Sequence, residues 1–180
     1  MATIDALRRQ PNTFDYSQNS QFQVTLGNFP LAQYFCTGVN LPGVSIAGTP
    51  IPTRLADIAM VGDKMEFEDF TMTFIVDEEL KNYQEIFDWM VNIAFPSDHA
   101  QFKAQERVDG VAPREDELAL YSDIMITVLS NKNNPIVRAT MKDAWPNTLS
   151  GLDYSVAETD TVYLTASATF SYSYFEFVSA

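Results

Sequence analysis

The chain has 180 residues, 46% of them apolar and 13% aromatic, which suits one globular domain with its own core and excludes a disordered chain. Its 24 acids against 11 bases leave a formal net charge of −13, which argues against a nucleic-acid grip, because phosphate binding needs lysines and arginines to displace counterions. No apolar run approaches the roughly 20 residues of a membrane span, the N-terminus MATIDALRRQPN lacks the apolar core of a secretory signal, and the single cysteine, Cys36, cannot form an internal disulfide, as expected of assembly in a reducing cytoplasm.

Residues 1–19 are polar and aperiodic and read as an N-terminal arm. Residues 20–180 read as a single domain with a loop insertion at about 95–119. Phe22, Val24 and Leu26 alternate with polar residues, the mark of a half-buried strand, and Gly27-Asn28-Phe29-Pro30 supplies a turn. A second strand is predicted over 33–39, ending at Leu41-Pro42-Gly43, with Cys36 inside it as a buried, inert thiol. Residues 44–54 hold Gly48, Pro50 and Pro52 and read as an edge segment or extended loop, since proline cannot donate to a ladder. Ile58–Val61 and a turn at Gly62-Asp63 follow.

Along 64–76, Met65 and Phe67 share one face, whereas Phe70, Met72, Phe74 and Val76 have the opposite parity. Strand side chains alternate strictly, so the switch predicts a β-bulge near Glu68-Asp69, or a strand that passes from one packing environment to another. Asp77 then offers a helix N-cap, with Glu78 and Glu79 at the positive end of the helix dipole. Leu80, Tyr83, Phe87 and Met90 recur at helical spacing, widened by Ile86 and Trp89, and Pro96 predicts an end near Ala94.

Strands return at about 120–129 and 136–142, joined by a turn at Asn131-Lys132-Asn133-Asn134, with bends at Trp145-Pro146-Asn147 and Ser150-Gly151. The longest candidate strand runs over 161–177. Val162, Leu164, Ala166, Ala168, Phe170, Tyr172 and Tyr174 share one face, and Thr165, Ser167, Thr169, Ser171 and Ser173 share the other. At about seventeen residues it is roughly three times an ordinary strand.

No chemistry emerges from this inventory. The acidic pairs, such as Glu66/Glu68 and Asp77 to Glu79, are what a solvated face of so acidic a chain contains. The one histidine, His99, lies in the long polar segment and reads as an exposed loop residue. Sites built on several histidines or on a cysteine cluster are therefore excluded. There is no Gly-x-Ser-x-Gly elbow, P-loop, Gly-x-Gly-x-x-Gly or EF-hand spacing. No catalytic, cofactor-binding or metal residue is nominated, and the chain reads as no enzyme. Tyr172, Tyr174, Phe175 and Phe177 would stack single-stranded bases only beside a basic groove. Their sole charged neighbour is Glu176, so core packing or a subunit interface is the better account.

The block from Gly62-Asp63-Lys64 through Phe67-Glu68-Asp69-Phe70-Thr71 and Asp77-Glu78 to Phe87-Asp88-Trp89 resembles the tail tube proteins of contractile-tailed bacteriophages. Lys142-Asp143-Ala144-Trp145-Pro146, Ser150-Gly151-Leu152, Phe35-Cys36 with Leu41-Pro42-Gly43, and the terminal Tyr-x-x-Phe strand are similar to that family's other signatures. The resemblance implies a mainly β fold, a β-sandwich or barrel with one flanking α-helix, whose long strands contribute to an inter-subunit β-barrel. It implies hexameric rings stacked into a tube through which DNA passes without specific binding, and no cofactor. The implied partners are further copies of the chain, a tail sheath, and baseplate and tail terminator proteins, with no membrane. Assembly in the host cytoplasm would place the protein in the tail of the virion. On this reading Thr165, Ser167, Thr169, Ser171 and Ser173 face the lumen, and Phe70, Met72, Phe74, Tyr172 and Tyr174 are inter-subunit contacts. A cation-poor hydroxyl face suits a wall that must not hold DNA. A baseplate tube-initiator ring protein is the alternative of the same kind, and a small acidic β-sandwich binding module the alternative of a different one.

Overall fold

Apolar residues recurring at every second position fold much of this chain into antiparallel strands, and one run at helical spacing packs on them. The computed structural model describes residues 15–27, 29–94, 96, 121–157 and 162–179. Most of the expected N-terminal arm, and all of the 95–119 insertion but Pro96, lie outside the described residues, His99 included. The elements are β1 (Phe22–Leu26), α1 (Pro30–Tyr34), β2 (Cys36–Val39), β3 (Val44–Ile46), β4 (Thr49–Pro52), β5 (Asp57–Met60), β6 (Met65–Phe67), β7 (Phe70–Ile75), α2 (Lys81–Ala94), β8 (Ser122–Leu129), β9 (Pro135–Leu149), β10 (Thr165–Ser171) and β11 (Tyr174–Ser179).

The protein is mainly β. One seven-stranded sheet follows the order β1-β8-β9-β10-β7-β2, with β11 attached to β9. Two further ribbons, β3-β6 and β4-β5, stand apart from it. Strand β9 organises the whole. Its first part pairs with β8 and β11, and from Trp145 onward it pairs with β10. Between the two parts Ile124 faces Met141 while Ser122 faces Ala144, so β9 carries an extra residue there. Asp143 takes the left-handed conformation at φ 55, which aspartate tolerates better than most residues. Burial changes parity at this bulge, from Ala139 and Met141 to Ala144 and Pro146. Pro146 sits where β9 has a neighbour on one side only, the position at which a sheet accepts proline. The bend expected at Trp145-Pro146-Asn147 is thus part of a continuous strand.

At Glu68-Asp69 the parity switch has the second of its two expected causes. Strand β6 ends at Phe67 against β3, and β7 begins at Phe70 between β10 and β2, in another sheet. The single strand expected over 161–177 is two strands. Strand β10 lies along β7 and the end of β9, the chain bends at Tyr172-Ser173, and β11 continues in the same direction along the start of β9. The Ser173 N–H donates to the Lys142 carbonyl at this corner. The strand expected over 33–39 is a single helical turn followed by β2.

Helix α2 ends at Ala94 as expected but begins at Lys81, not after Asp77. Residues 77–80 form a turn, closed by Leu80 N–H donating to the Asp77 carbonyl, with Leu80 at φ 57. The apolar stripe is also rotated: Ile86 and Trp89 are 1% exposed and form its centre, whereas Phe87 is 52% exposed. Trp89 stacks on Phe29 at 4.6 Å between ring centroids and meets Phe170 at 5.9 Å. Phe70 meets Phe170 at 5.8 Å, completing an aromatic core between helix and sheet.

Asn82, fully buried, fastens the helix to the sheet. Its carbonyl accepts from Asp77 N–H at 3.2 Å, and its amide donates to the Ile75 carbonyl at 2.7 Å. Buried groups left without partners cost about 1–3 kcal/mol each. Asn82→Ala is therefore expected to destabilise the fold by about 2 kcal/mol or more, read as a lower urea midpoint at unchanged slope. A midpoint equal to wild type would show that the helix is held elsewhere.

Candidate functional site

Because β7 turns Phe70, Met72 and Phe74 into the core, it must present Thr71 and Thr73 on the far side of the sheet. Strand β10 does the same, with Ala166, Ala168 and Phe170 inside and Thr165, Ser167, Thr169 and Ser171 opposite. The register brings these hydroxyls together: Thr169 faces Thr71, and Ser167 faces Thr73. The Thr71 and Thr169 hydroxyls lie 3.4 Å apart. On the β9 side Thr148 faces Thr169, and the Asn147 amide donates to Ser171 Oγ at 3.4 Å. Ser171 Oγ in turn donates to Asp69 Oδ1 at 2.9 Å. On the β2 side Thr37 donates to the Thr73 carbonyl, and Asn40 accepts from Thr71 N–H while donating to the Asp69 carbonyl.

The outcome is one face of four strands, β2, β7, β10 and the end of β9, covered by threonine, serine and asparagine, with Trp145 opposite Ser171 at its margin. Among the described residues Asp69 is the charge at its edge, and the strand residues 36–40, 70–75, 145–149 and 165–171 include no lysine or arginine. Several hydroxyls and amides already bond sideways to one another or to backbone. Such a face wets but offers nothing that displaces the counterions of a phosphate chain.

Of the lumen residues expected from the sequence, Thr165, Ser167, Thr169 and Ser171 lie together on this face. Ser173 lies beyond the end of β10, at the bend before β11, with its N–H bonded to the Lys142 carbonyl of β9. Phe70, Met72 and Phe74 have 0% exposure in the single chain. The helix side covers them, so no surface of theirs is left for the inter-subunit contact expected of them. Tyr172 is half-buried and Tyr174 is 47% exposed, on opposite sides of the corner. Thr37, Asn40, Asn147 and Thr148 were not anticipated. The Thr71/Thr73 alternation between buried neighbours was readable, the others only from the pairing.

Tyr172 donates to the Glu68 carbonyl at 2.8 Å, and its ring lies near Phe67 and Phe175. Burial first, then the carboxylates of Asp69 and Glu68, push its phenol up to about 12. A folded value above the ordinary one near 10 means stability that is intact below pH 10 and is lost as pH rises toward 12. Tyr172→Phe is expected to flatten that loss in urea midpoints taken across the interval. An unchanged slope would show that Tyr172 ionises freely in the folded state. Cys36 is half-buried, and burial raises its thiol above the usual range, in keeping with an unreactive role at neutral pH.

The second feature is an arm. Strands β3 and β6 pair Val44 with Phe67 and Ile46 with Met65, and beyond them β4 and β5 pair Thr49 with Met60 and Ile51 with Ile58. Two residues, Ala47 and Gly48, therefore face four, Val61 to Lys64, and the ribbon has an elbow. A Cβ on Gly62 would lie 1.8 Å from the Ala47 carbonyl oxygen, so only glycine fits. Directly opposed pairs share a face. Val44, Ile46, Ile51, Ile58, Met60 and Met65 are all between 46% and 55% exposed, and Leu55 at the tip is 98% exposed. The segment expected to be an edge segment or extended loop takes the first form, an apolar ribbon left uncovered among the described residues.

Comparison with known proteins gives concordant results. Residues 10–178 match the family described as phage tail tube protein. The tail tube terminator protein of Enterobacteria phage T4 is 24% identical over 177 residues, covering 96% of this chain and 92% of that protein. Among solved structures, the anti-feeding prophage cap, a tube-terminating cap, aligns over 100% of both chains with a TM-score of 0.59 at 14% identity. A chain of the sheath–tube complex of the PVC extracellular contractile injection system, in its extended state, aligns over 92% of this chain and 93% of its own with a TM-score of 0.56 at 13% identity. The structural likenesses establish the fold.

Proposed function

Because the chain belongs to the phage tail tube protein family, we propose that it is a structural subunit whose copies close into a hexameric ring coaxial with the tail tube. The observation that carries this reading is the cation-free hydroxyl face, which turns toward the lumen and lets DNA pass without specific binding. Among the described residues the edges of β1 and β2 at the two ends of the sheet carry no further strand, which favours closure through neighbours, since an open edge invites another strand. The subunit catalyses nothing in this role. Its partners are its own copies, the sheath and the other tail proteins, and its place is the tail of the virion.

The ring is the terminal one. What supports this position is the T4 tube terminator, matched along nearly its whole length, together with the full-length likeness to a tube-terminating cap. The second reading, a repeating tube subunit, draws on the family description and on the PVC sheath–tube chain. Electron microscopy of the purified protein, alone and mixed with preformed tail tubes, separates them. A terminator gives isolated rings that bind one tube end and halt growth, whereas a tube subunit lengthens the tubes. Monomers that never bind a tube end would overturn both readings.

The lumen assignment has its own test. Thr165→Lys, Ser167→Lys and Thr169→Lys combined are expected to leave rings intact and to slow DNA passage several-fold at low salt. Rising salt should relieve the delay, because the new contacts are counterion-exchanging ones. A triple variant that does not fold would place this face in a packed interior and refute the assignment.

A further inference from the structure

The arm joins the sheet through two connections, residues 40–43 and 68–69, which are first bonded to each other. Glu68 N–H donates to the Gly43 carbonyl at 3.0 Å and Asn40 N–H to the Thr71 carbonyl at 3.1 Å, while the Asn40 amide donates to the Asp69 carbonyl at 3.1 Å. Two strands bonded only to each other have little stiffness, for an isolated ribbon is marginal in water. Further out, residues 44–61 bury no side chain in the core. What ties the ribbon to the rest of the domain comes from the end of β10, 102 and 104 residues along the chain. Ser171 Oγ donates to Asp69 Oδ1 at 2.9 Å, and the Tyr172 hydroxyl donates to the Glu68 carbonyl at 2.8 Å. Beside them the half-buried Phe67 lies edge-on to Phe175 at 5.6 Å and against Tyr172 at 6.1 Å.

We propose that Ser171 and Tyr172 are positioning residues that pin the root of the arm, so that its angle to the sheet is set within the single chain. The pins act where bending would occur. Glu68 and Asp69 are both exposed, lie between β6 and β7, and belong to neither strand. Without the two hydroxyls the self-bonded ribbon could tilt about these residues with no core contact to resist it. The rings cannot replace the hydroxyls. Apolar contact is non-directional, so Phe67 could slide on Tyr172 and Phe175, whereas a hydrogen bond weakens steeply below about 120° and therefore fixes a direction. The division of labour is that the rings hold the root down and the hydroxyls aim it. An arm aimed in advance has no swing to lose when it meets another surface, which is the advantage of preorganisation. The inference draws on the geometry of one chain and does not depend on the ring reading.

Spin labels read this angle directly, because the chain's single cysteine can be removed. The parent is Cys36→Ser protein with Ser45→Cys on β3 and Lys132→Cys in the turn between β8 and β9, both exposed positions. Pulsed electron–electron double resonance on unassembled chains is expected to give one narrow distance distribution. Adding Ser171→Ala and Tyr172→Phe together, which keeps the ring and removes both donors, is expected to at least double its width. The far-ultraviolet circular dichroism should stay that of the parent, which separates loss of aim from loss of fold. Tyr172→Phe alone is expected to widen the distribution in the same sense, and it carries the test should the double variant fail to fold. A broad distribution in the parent, or a width that neither variant changes, would overturn the inference and leave the ring reading standing.

Discussion

Trp89→Ala is expected to remove most of the stability of this protein. Trp89 is 1% exposed, stacked on Phe29 and set against Phe170, so it joins the loop after β1, helix α2 and strand β10 at one point. Emptying a buried tryptophan costs about 3–5 kcal/mol, against about 5–15 kcal/mol for a whole domain. Urea titration followed by far-ultraviolet circular dichroism should show the midpoint falling by a third or more, with Trp89→Phe retaining much of the difference. A loss of about 1 kcal/mol or less for alanine would mean that α2 is not packed on the sheet as described.

Gly62→Ala is expected to have the opposite profile: little loss of stability and a large loss of assembly. The added methyl cannot coexist with the Ala47 carbonyl 1.8 Å away, and that neighbour is backbone, so the elbow itself must open. Residues 44–61 bury no side chain in the core. The cost to the folded domain should therefore stay below about 1 kcal/mol, the range of substitutions away from the core. Rings counted by electron microscopy should fall at least tenfold at the same protein concentration. Equal ring counts would show that the arm takes no part in assembly, and a melting temperature lowered as far as by Trp89→Ala would make the arm part of the core.

These two substitutions mark what could and could not be read from the sequence. The alternations at 70–76 and 165–171 were legible because a sheet with one buried face imposes a period of two on its residues. The helix was legible from Leu80 onward for the same kind of reason, although its start was not. Leu80 takes a left-handed conformation and Asn82 anchors the first turn to Ile75, and both depend on where β7 ends. The division of 161–177 into β10 and β11 was hidden because nothing local says which stretch of β9 each half will meet. The resemblance implies inter-subunit contacts at Phe70, Met72 and Phe74, whereas all three have 0% exposure in the single chain. Composition cannot distinguish a face covered by the chain's own helix from one covered by a neighbour. The prolines of the arm pointed to an edge segment or an extended loop, and Pro50 and Pro52 pair with Ala59 and Asp57 in a two-stranded ribbon, where each strand has an unpaired side to spare.

Strand β9 has a mechanical consequence. It is one covalent thread sewn through both halves of the sheet, paired with β8 and β11 up to Ala144 and with β10 from Trp145 onward. A pull along its axis loads these ladders in shear, so their bonds share the strain and do not unzip one after another. Sliding one half of the subunit past the other would require tearing this thread out of both. A part so stitched yields at its joints with neighbours long before it yields within itself.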